Sequence, residues 1–220
     1  MIKLKRNDLP DQLKERLLDR IEKLHFAIAA NETPPPSVLE FYRDPAVKAH
    51  LVAEAHGKCV YCESKITHVY FGDVEHLKPK ALYRAEQLDI DNLALACAQC
   101  NNAKRDFWDP HTPLLNPYVD DPAEELVALG FIVARRPGRQ RARITIEKLA
   151  LNRPALVERR KERIELLENL ADQYVLAPEG SLKELLRDEL CRQAADDSEY
   201  AMIVRAYLNA ACGIECVWAA

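Results

Sequence analysis

Apolar residues Leu13, Leu17, Ile21, Leu24 and Ile28 recur every three or four positions, which predicts an amphipathic helix over residues 9–30. Pro34-Pro35-Pro36 ends it, because proline brings no amide proton to a helix. A second helix is predicted from about Ala46 to His56, with Gly57 as its stop. The segment 58–106 breaks this helical rhythm. β-prone residues gather at Val69–Val74 and a short apolar run covers Leu93–Ala96, so the predicted order is knuckle, strand, loop, strand, knuckle and helix. Leu126–Leu129 and Phe131–Arg136 read as two short strands joined at Gly130, with Pro137-Gly138 as the next turn. From Ile144 onward helices dominate, and Leu156, Ile164, Leu167, Leu170 and Tyr174 form one stripe. Ser181 and Glu184 have capping-box spacing at the head of SLKELLRDEL. A last apolar helix is expected from about Glu199 to beyond Ala211, with Met202, Ile203, Ala206, Tyr207 and Ala210 on one side; Val217 and Trp218, just beyond it, need cover.

Composition narrows the class. With 220 residues, 48% hydrophobic and 30% charged, the chain has the makeup of a soluble globular protein and not of a disordered one. No run of 18 apolar residues occurs, so no membrane span is expected. The opening MIKLKRNDLPDQLKERLL has basic residues without a continuous apolar core, which is unlike a secretory signal. A cytoplasmic location is the expectation.

The net charge of −4 is unevenly spread. Residues 131–165 hold 11 Lys/Arg against 4 Asp/Glu. Arg135, Arg136, Arg139, Arg141 and Arg143 crowd the proposed hairpin with no acidic residue among them. Such a basic strip can follow a phosphate backbone even on an acidic protein; a partner-protein interface or plain solubility are the alternatives. Arg153, Arg159, Arg160, Lys161 and Arg163 interleave with Glu158, Glu162 and Glu165, the pattern of a solvated helix face.

Seven cysteines are many for a cytosolic chain, and an odd number argues against a complete disulfide framework. Cys191, Cys212 and Cys216 sit in apolar helical sequence and read as buried small hydrophobes. The other four form two C-x-x-C units, Cys59/Cys62 and Cys97/Cys100, with 34 residues between them. Two such knuckles supply all four ligands of a tetrahedral Zn²⁺ and leave no open position for water, so the predicted zinc is structural. A redox dithiol would need only one pair, and neither has a thioredoxin-like context.

Inside this frame lie Glu75-His76, then Asn92 sixteen positions after the histidine, then Asn101 directly after the last cysteine. This order resembles the HNH (ββα-metal) nuclease family, in which an acidic-His pair, a central Asn and a His or Asn after a C-x-x-C knuckle recur. The likeness spans CVYCES, VEHLKPK and DNLALACAQCNNAK. It implies an α+β fold: a ββα-metal core over residues 57–110, with a structural four-cysteine zinc site, between an N-terminal helical segment (1–56) and a C-terminal extension (111–220) carrying the basic hairpin and helices.

The family's chemistry is phosphodiester hydrolysis, which needs a deprotonated water and a cation on the scissile phosphate. His76 titrates near neutrality and suits the general base. By the resemblance, Glu75 and Asn101 are the metal ligands and Asn92 bonds across the loop to hold His76. Asn101 stands where the family often has His, and its amide oxygen favours Mg²⁺ or Mn²⁺ over a softer metal; Asn102 is its rival. Lys78, Lys80 and Lys104 are candidate phosphate contacts or simply solvated lysines, and His68 and His111 flank the module.

LLNPYVDDP and TIEKLALNRPALVERR extend the similarity toward the HNH nuclease subunit of the Septu anti-phage system and related retron-associated nucleases, over roughly residues 56–165. In that branch the nuclease works with an ABC/AAA-type ATPase, so the resemblance implies a DNA-cleaving defence effector with such a partner, docked on the helical termini. RNA such as tRNA is the alternative substrate, and a zinc-ribbon scaffold without catalysis is the alternative class.

Overall fold

The computed structural model describes residues 1–66 and 72–216. The chain opens with a segment without regular structure and then α1 (Asp11–Ala29), which buries Leu13, Leu17 and Leu24 of the expected stripe, with Ile21 at the margin and Ala27 buried in place of the exposed Ile28. The proline run does more than stop α1. Its last member starts the single turn α2 (Pro36–Leu39), as proline's fixed φ suits a first helical position. A 3₁₀ turn follows at Phe41–Arg43, and α3 (Pro45–Glu54) begins where the Asp44 side chain accepts the Ala46 amide at 2.9 Å.

The central module is a β-hairpin and a short helix. β1 (Asp73–His76) pairs antiparallel with β2 (Leu93–Ala96), Glu75 opposite Ala94 and His76 opposite Leu93. β2 is buried along its whole length, which explains its unbroken apolar run. α4 (Ala98–Lys104) follows directly. The strand predicted from Val69 begins at Asp73; residues 69–71 lie outside the described residues.

The C-terminal extension contains α5 (Pro122–Glu125), the hairpin β3 (Leu126–Leu129) and β4 (Ile132–Arg135), α6 (Gln140–Lys148), α7 (Pro154–Leu176), α8 (Ser181–Gln193) and α9 (Ala201–Cys212). The α7 stripe packs inward through Leu156, Ile164 and Leu167, with Leu170 and Tyr174 at its margin. Among the described residues no helix is long and apolar enough to cross a membrane.

Four expectations change. The helix at α6 starts at Gln140, so Arg141 and Arg143 project from a helix and not from the hairpin. Ser181 is the first residue of α8, after Gly180, and makes no capping bond, so the capping box does not form. Cys191 and Cys216 are not separate buried thiols: the end of α8 and the segment after α9 bring their Cα atoms to 5.6 Å, and they form a disulfide. Cys212 stays a free, half-buried thiol.

The apolar face of α9 also differs from the expected docking stripe. Ala201, Ile203, Val204 and Leu208 are buried, and Val204 and Leu208 are fully enclosed. Helix periodicity allows either face to be read as apolar, and packing against α7 and β3 selects this one. Val217 and Trp218 lie outside the described residues. Leu208→Ala should therefore cost about 2–5 kcal/mol of folding stability, seen as a lower urea midpoint. An unchanged midpoint would mean that α9 is not part of the core.

Candidate active site and metal centre

The hairpin carries a knuckle at each end. Cys59 and Cys62 precede β1, Cys97 and Cys100 bridge β2 to α4, and the Val60 amide donates to the Leu95 carbonyl at 3.0 Å, fastening the first knuckle to β2. All four cysteines are buried, and their sulfurs lie within 4.8 Å of one another. Cys62 Sγ and Cys97 Sγ are 3.8 Å apart. Hydrogen bonds from Cys100, Cys59 and Cys97 hold the Cys62 thiol well below its ordinary pKa, while burial pushes Cys59 well above. Hydrogen bonds from Cys100 and Cys59 lower the Cys97 thiol as well, and the four together form a cluster able to hold a metal ion. A closed set of four thiols matches the donor chemistry of tetrahedral zinc.

Beside this cluster, β1 and α4 line a cavity of about 500 Å³ that contains Asp73, Glu75, His76 and Asn101. His76 sits at the end of β1 with 8% of its surface exposed. Its Nε2 lies 3.0 Å from the Gln87 carbonyl, to which it can only donate, so the neutral ring keeps Nδ1 as its acceptor. The Tyr42 ring meets it edge-on at 4.7 Å between centroids. Burial pushes the His76 pKa down to about 4, against the opposing pull of the Gln87 hydrogen bond.

Asn92 is buried and bonds across the loop, and none of its hydrogen bonds goes to His76 itself. Its Oδ1 accepts the Lys78 amide at 2.6 Å, and its Nδ2 donates to the carbonyls of Lys78 and Glu86 at 3.1 and 3.0 Å. It closes the loop between the strands, and so fixes the neighbouring Gln87 carbonyl that holds the histidine.

Glu75 faces inward. Its side chain is 4% exposed and pairs with Lys104 Nζ at 2.6 Å; burial raises its pKa, and the charge of Lys104 and a hydrogen bond from Tyr61 oppose the rise. Lys104 also donates to the His76 carbonyl at 2.7 Å. Lys104 is thus buried and doubly engaged, which corrects its reading as a solvated lysine. Asn101 points back to β1, where its Nδ2 donates to Asp73 Oδ2 at 3.0 Å, leaving the amide oxygen for another partner. Sequence reasoning passed over Asp73, yet it lies two residues before Glu75, and alternate residues of a strand share a face.

The cations at the cavity also differ from those expected. Lys80 lines it and donates to Tyr42 Oη at 2.8 Å, but its neighbours there are Arg43, Lys48 and Arg105. Lys78 instead pairs with Glu86 at 2.6 Å. Arg135, Arg136, Arg139, Arg141 and Arg143 are not among the cavity residues, and the strip does have acidic partners. Arg139 pairs with Glu125, Arg143 with Glu147, and Arg141 forks onto Asp120 at 2.7 and 3.1 Å. Arg135 and Arg136 remain exposed. Arg160, read as part of a solvated face, is 2% exposed. Asn102 is exposed and outside the cavity, as is His111; His68 lies outside the described residues.

The histidine's environment has a measurable consequence. Its folded pKa lies below the ordinary 6.5, so the unfolded chain binds this proton first as pH falls. Stability should therefore drop between about pH 6.5 and 4 and level off below, with the His76 resonances titrating near 4 by NMR. A midpoint at or above 6.5 would contradict the buried, neutral ring.

Comparison with known proteins gives the same segment. Residues 59–107 match the HNH endonuclease family. The chain is 28% identical over 179 residues to Septu protein PtuB of Bacillus mycoides strain KBAB4, covering 67% of this chain and 60% of that protein. It is 26% identical over 178 residues to Septu protein PtuB of Bacillus thuringiensis, covering 74% and 68%. A retron Vc95 protein of Vibrio cholerae serotype O1 biovar El Tor, named for an HNH endonuclease, is 34% identical over 126 residues, covering 50% and 58%. The chain thus spans about six-tenths of the length of the first of these relatives. The four-cysteine cluster and most of the polar cavity beside it thus fall within the segment, residues 59–107, that matches the HNH endonuclease family.

Proposed function

We propose that this protein is a metal-dependent endonuclease that hydrolyses phosphodiester bonds in DNA, as a defence effector restrained by an ATPase partner. The observation that carries the chemistry is His76: a neutral imidazole whose Nε2 is committed to a backbone carbonyl, lining one cavity with Asp73, Glu75 and Asn101. Nδ1 is then the atom that takes the proton of the attacking water, and general-base action of this kind contributes about 10²–10⁴-fold to rate.

Two metals fit the donors present. The four sulfurs suit a structural zinc. The carboxylates of Asp73 and Glu75 and the amide oxygen of Asn101 are hard donors that would hold Mg²⁺ or Mn²⁺. That cation supplies charge neutralisation at the phosphate and the leaving oxygen. Within this reading Asn92 is a positioning residue, acting through the loop that carries Gln87. Arg43, Lys48, Lys80 and Arg105 grip phosphates beside the reacting bond, and exposed Arg135 and Arg136, outside that cavity, are further nucleic-acid contacts. The helical termini, residues 1–50 and 175–220, are the segments that would dock the partner.

Support for the defence role and the partner comes from the Septu names of two relatives. The test is incubation of the purified protein, with and without a co-purified partner, with plasmid and total RNA in Mg²⁺. Plasmid should be cut, and His76→Ala should lower the rate at least about 100-fold while the bound zinc is unchanged. Glu75→Ala or Asn101→Ala should weaken Mg²⁺ dependence and rate together. Cleavage of RNA alone would change the substrate but not the chemistry. A His76→Ala protein as active as wild type would remove the assignment, and absence of any cleavage with retained zinc would favour a scaffold.

A further inference from the structure

The zinc cluster has a charged neighbour that its spacing in the sequence does not announce. Arg153, the residue before α7, directs its guanidinium onto two of the four sulfurs: Nη1 lies 3.6 Å from Cys100 Sγ and Nη2 3.9 Å from Cys97 Sγ. Nη1 also donates to the Ala150 carbonyl at 3.3 Å, which fixes the fork from the protein side. Four thiolates around one Zn²⁺ carry a net charge of about −2, and burying an uncompensated charge is costly. A planar guanidinium supplies the opposite charge and two N–H groups aimed at sulfur, a geometry that lysine cannot reproduce. Cys62 Sγ also lies 3.4 Å from Ser64 Oγ, which is 3.0 Å from Tyr200 Oη, and the buried Arg160 feels the charge of Cys62.

We propose that Arg153 is the counter-charge of the four-cysteine centre, retaining its metal and tying α7 of the C-terminal extension to it. The inference rests on the reading of the cluster as a zinc site. By pairing with Cys97 and Cys100, Arg153 lowers the electron density available on these sulfurs to a competing proton or electrophile, so the bonds to the metal break less often. It also makes the start of α7 part of the metal site's surroundings. The C-terminal extension and the HNH core are then joined by a charge pair as well as by apolar packing.

The experiment measures zinc release from the full-length, zinc-loaded protein to the chromogenic chelator 4-(2-pyridylazo)resorcinol. Arg153→Ala should release zinc about 10- to 100-fold faster than wild type, the usual penalty for losing an outer-shell partner. Arg153→Lys should fall between, and Arg159→Ala, which removes an exposed arginine of α7, should match wild type. Release from Arg153→Ala at the wild-type rate would overturn the proposal. Should that variant fail to fold, Arg153→Lys decides: several-fold faster release supports the proposal, and release within about twofold of wild type overturns it. A wild-type protein that carries no metal overturns both this inference and the zinc reading, whereas a loaded protein insensitive to Arg153 overturns this inference alone.

Discussion

Four sulfurs drawn into one cluster are the constraint on which the rest of this molecule depends. The two knuckles are 34 residues apart, and bringing them together closes a loop that holds both strands of the central hairpin. Closing such a loop costs conformational entropy, which metal–thiolate bonds can offset together with the surrounding apolar burial. Once closed, the loop has little freedom. His76 must end β1, Asn92 must precede β2, and Asn101 must leave Cys100 on the first turns of α4. The chain's more distant parts gather on the same point: Glu63, just after the first knuckle, meets the Met1 ammonium and accepts the Met202 amide at the head of α9.

A second interaction decides how the polar residues are shared between stability and chemistry. The buried pair Glu75–Lys104 ties α4 to β1, and Lys104 reaches the His76 carbonyl as well. A buried ion pair contributes little net stability, since desolvation offsets attraction, but removing one partner strands the other charge. Its value lies in register. It locks the strand that carries the histidine against the helix that carries Asn101. Tyr42 then packs on the open side of the imidazole, and Lys80 spans from the loop to its hydroxyl. The N-terminal segment therefore forms a wall of the site and is not merely a helical addition.

Much of this was legible in the sequence because it rests on local rules. Helical spacing in α1 and α7, the apolar run of β2 and the two C-x-x-C units each follow from backbone periodicity or ligand geometry, and the structure brings Glu75, His76 and Asn101 to one cavity. What escaped depends on contacts between distant segments. Tyr42, Arg43 and Lys48 carry no motif and reach the cavity only because α3 packs against β2. The arginine strip looked unpaired because Asp120 and Glu125 precede their partners Arg141 and Arg139 by 21 and 14 positions in the chain. The Cys191–Cys216 bond needed the α8–α9 packing, and Asp73 needed attention to strand alternation within GDVEH. Arg153 looked like one more arginine of a basic stretch.

The central claim is that a closed metal–thiolate centre organises a nuclease site, and X-ray absorption at the zinc edge of the purified protein tests it most directly. The account predicts a single shell of four sulfurs at about 2.3 Å with no light-atom ligand. A first shell mixing sulfur with nitrogen or oxygen, or no zinc at all in folded protein, would contradict it.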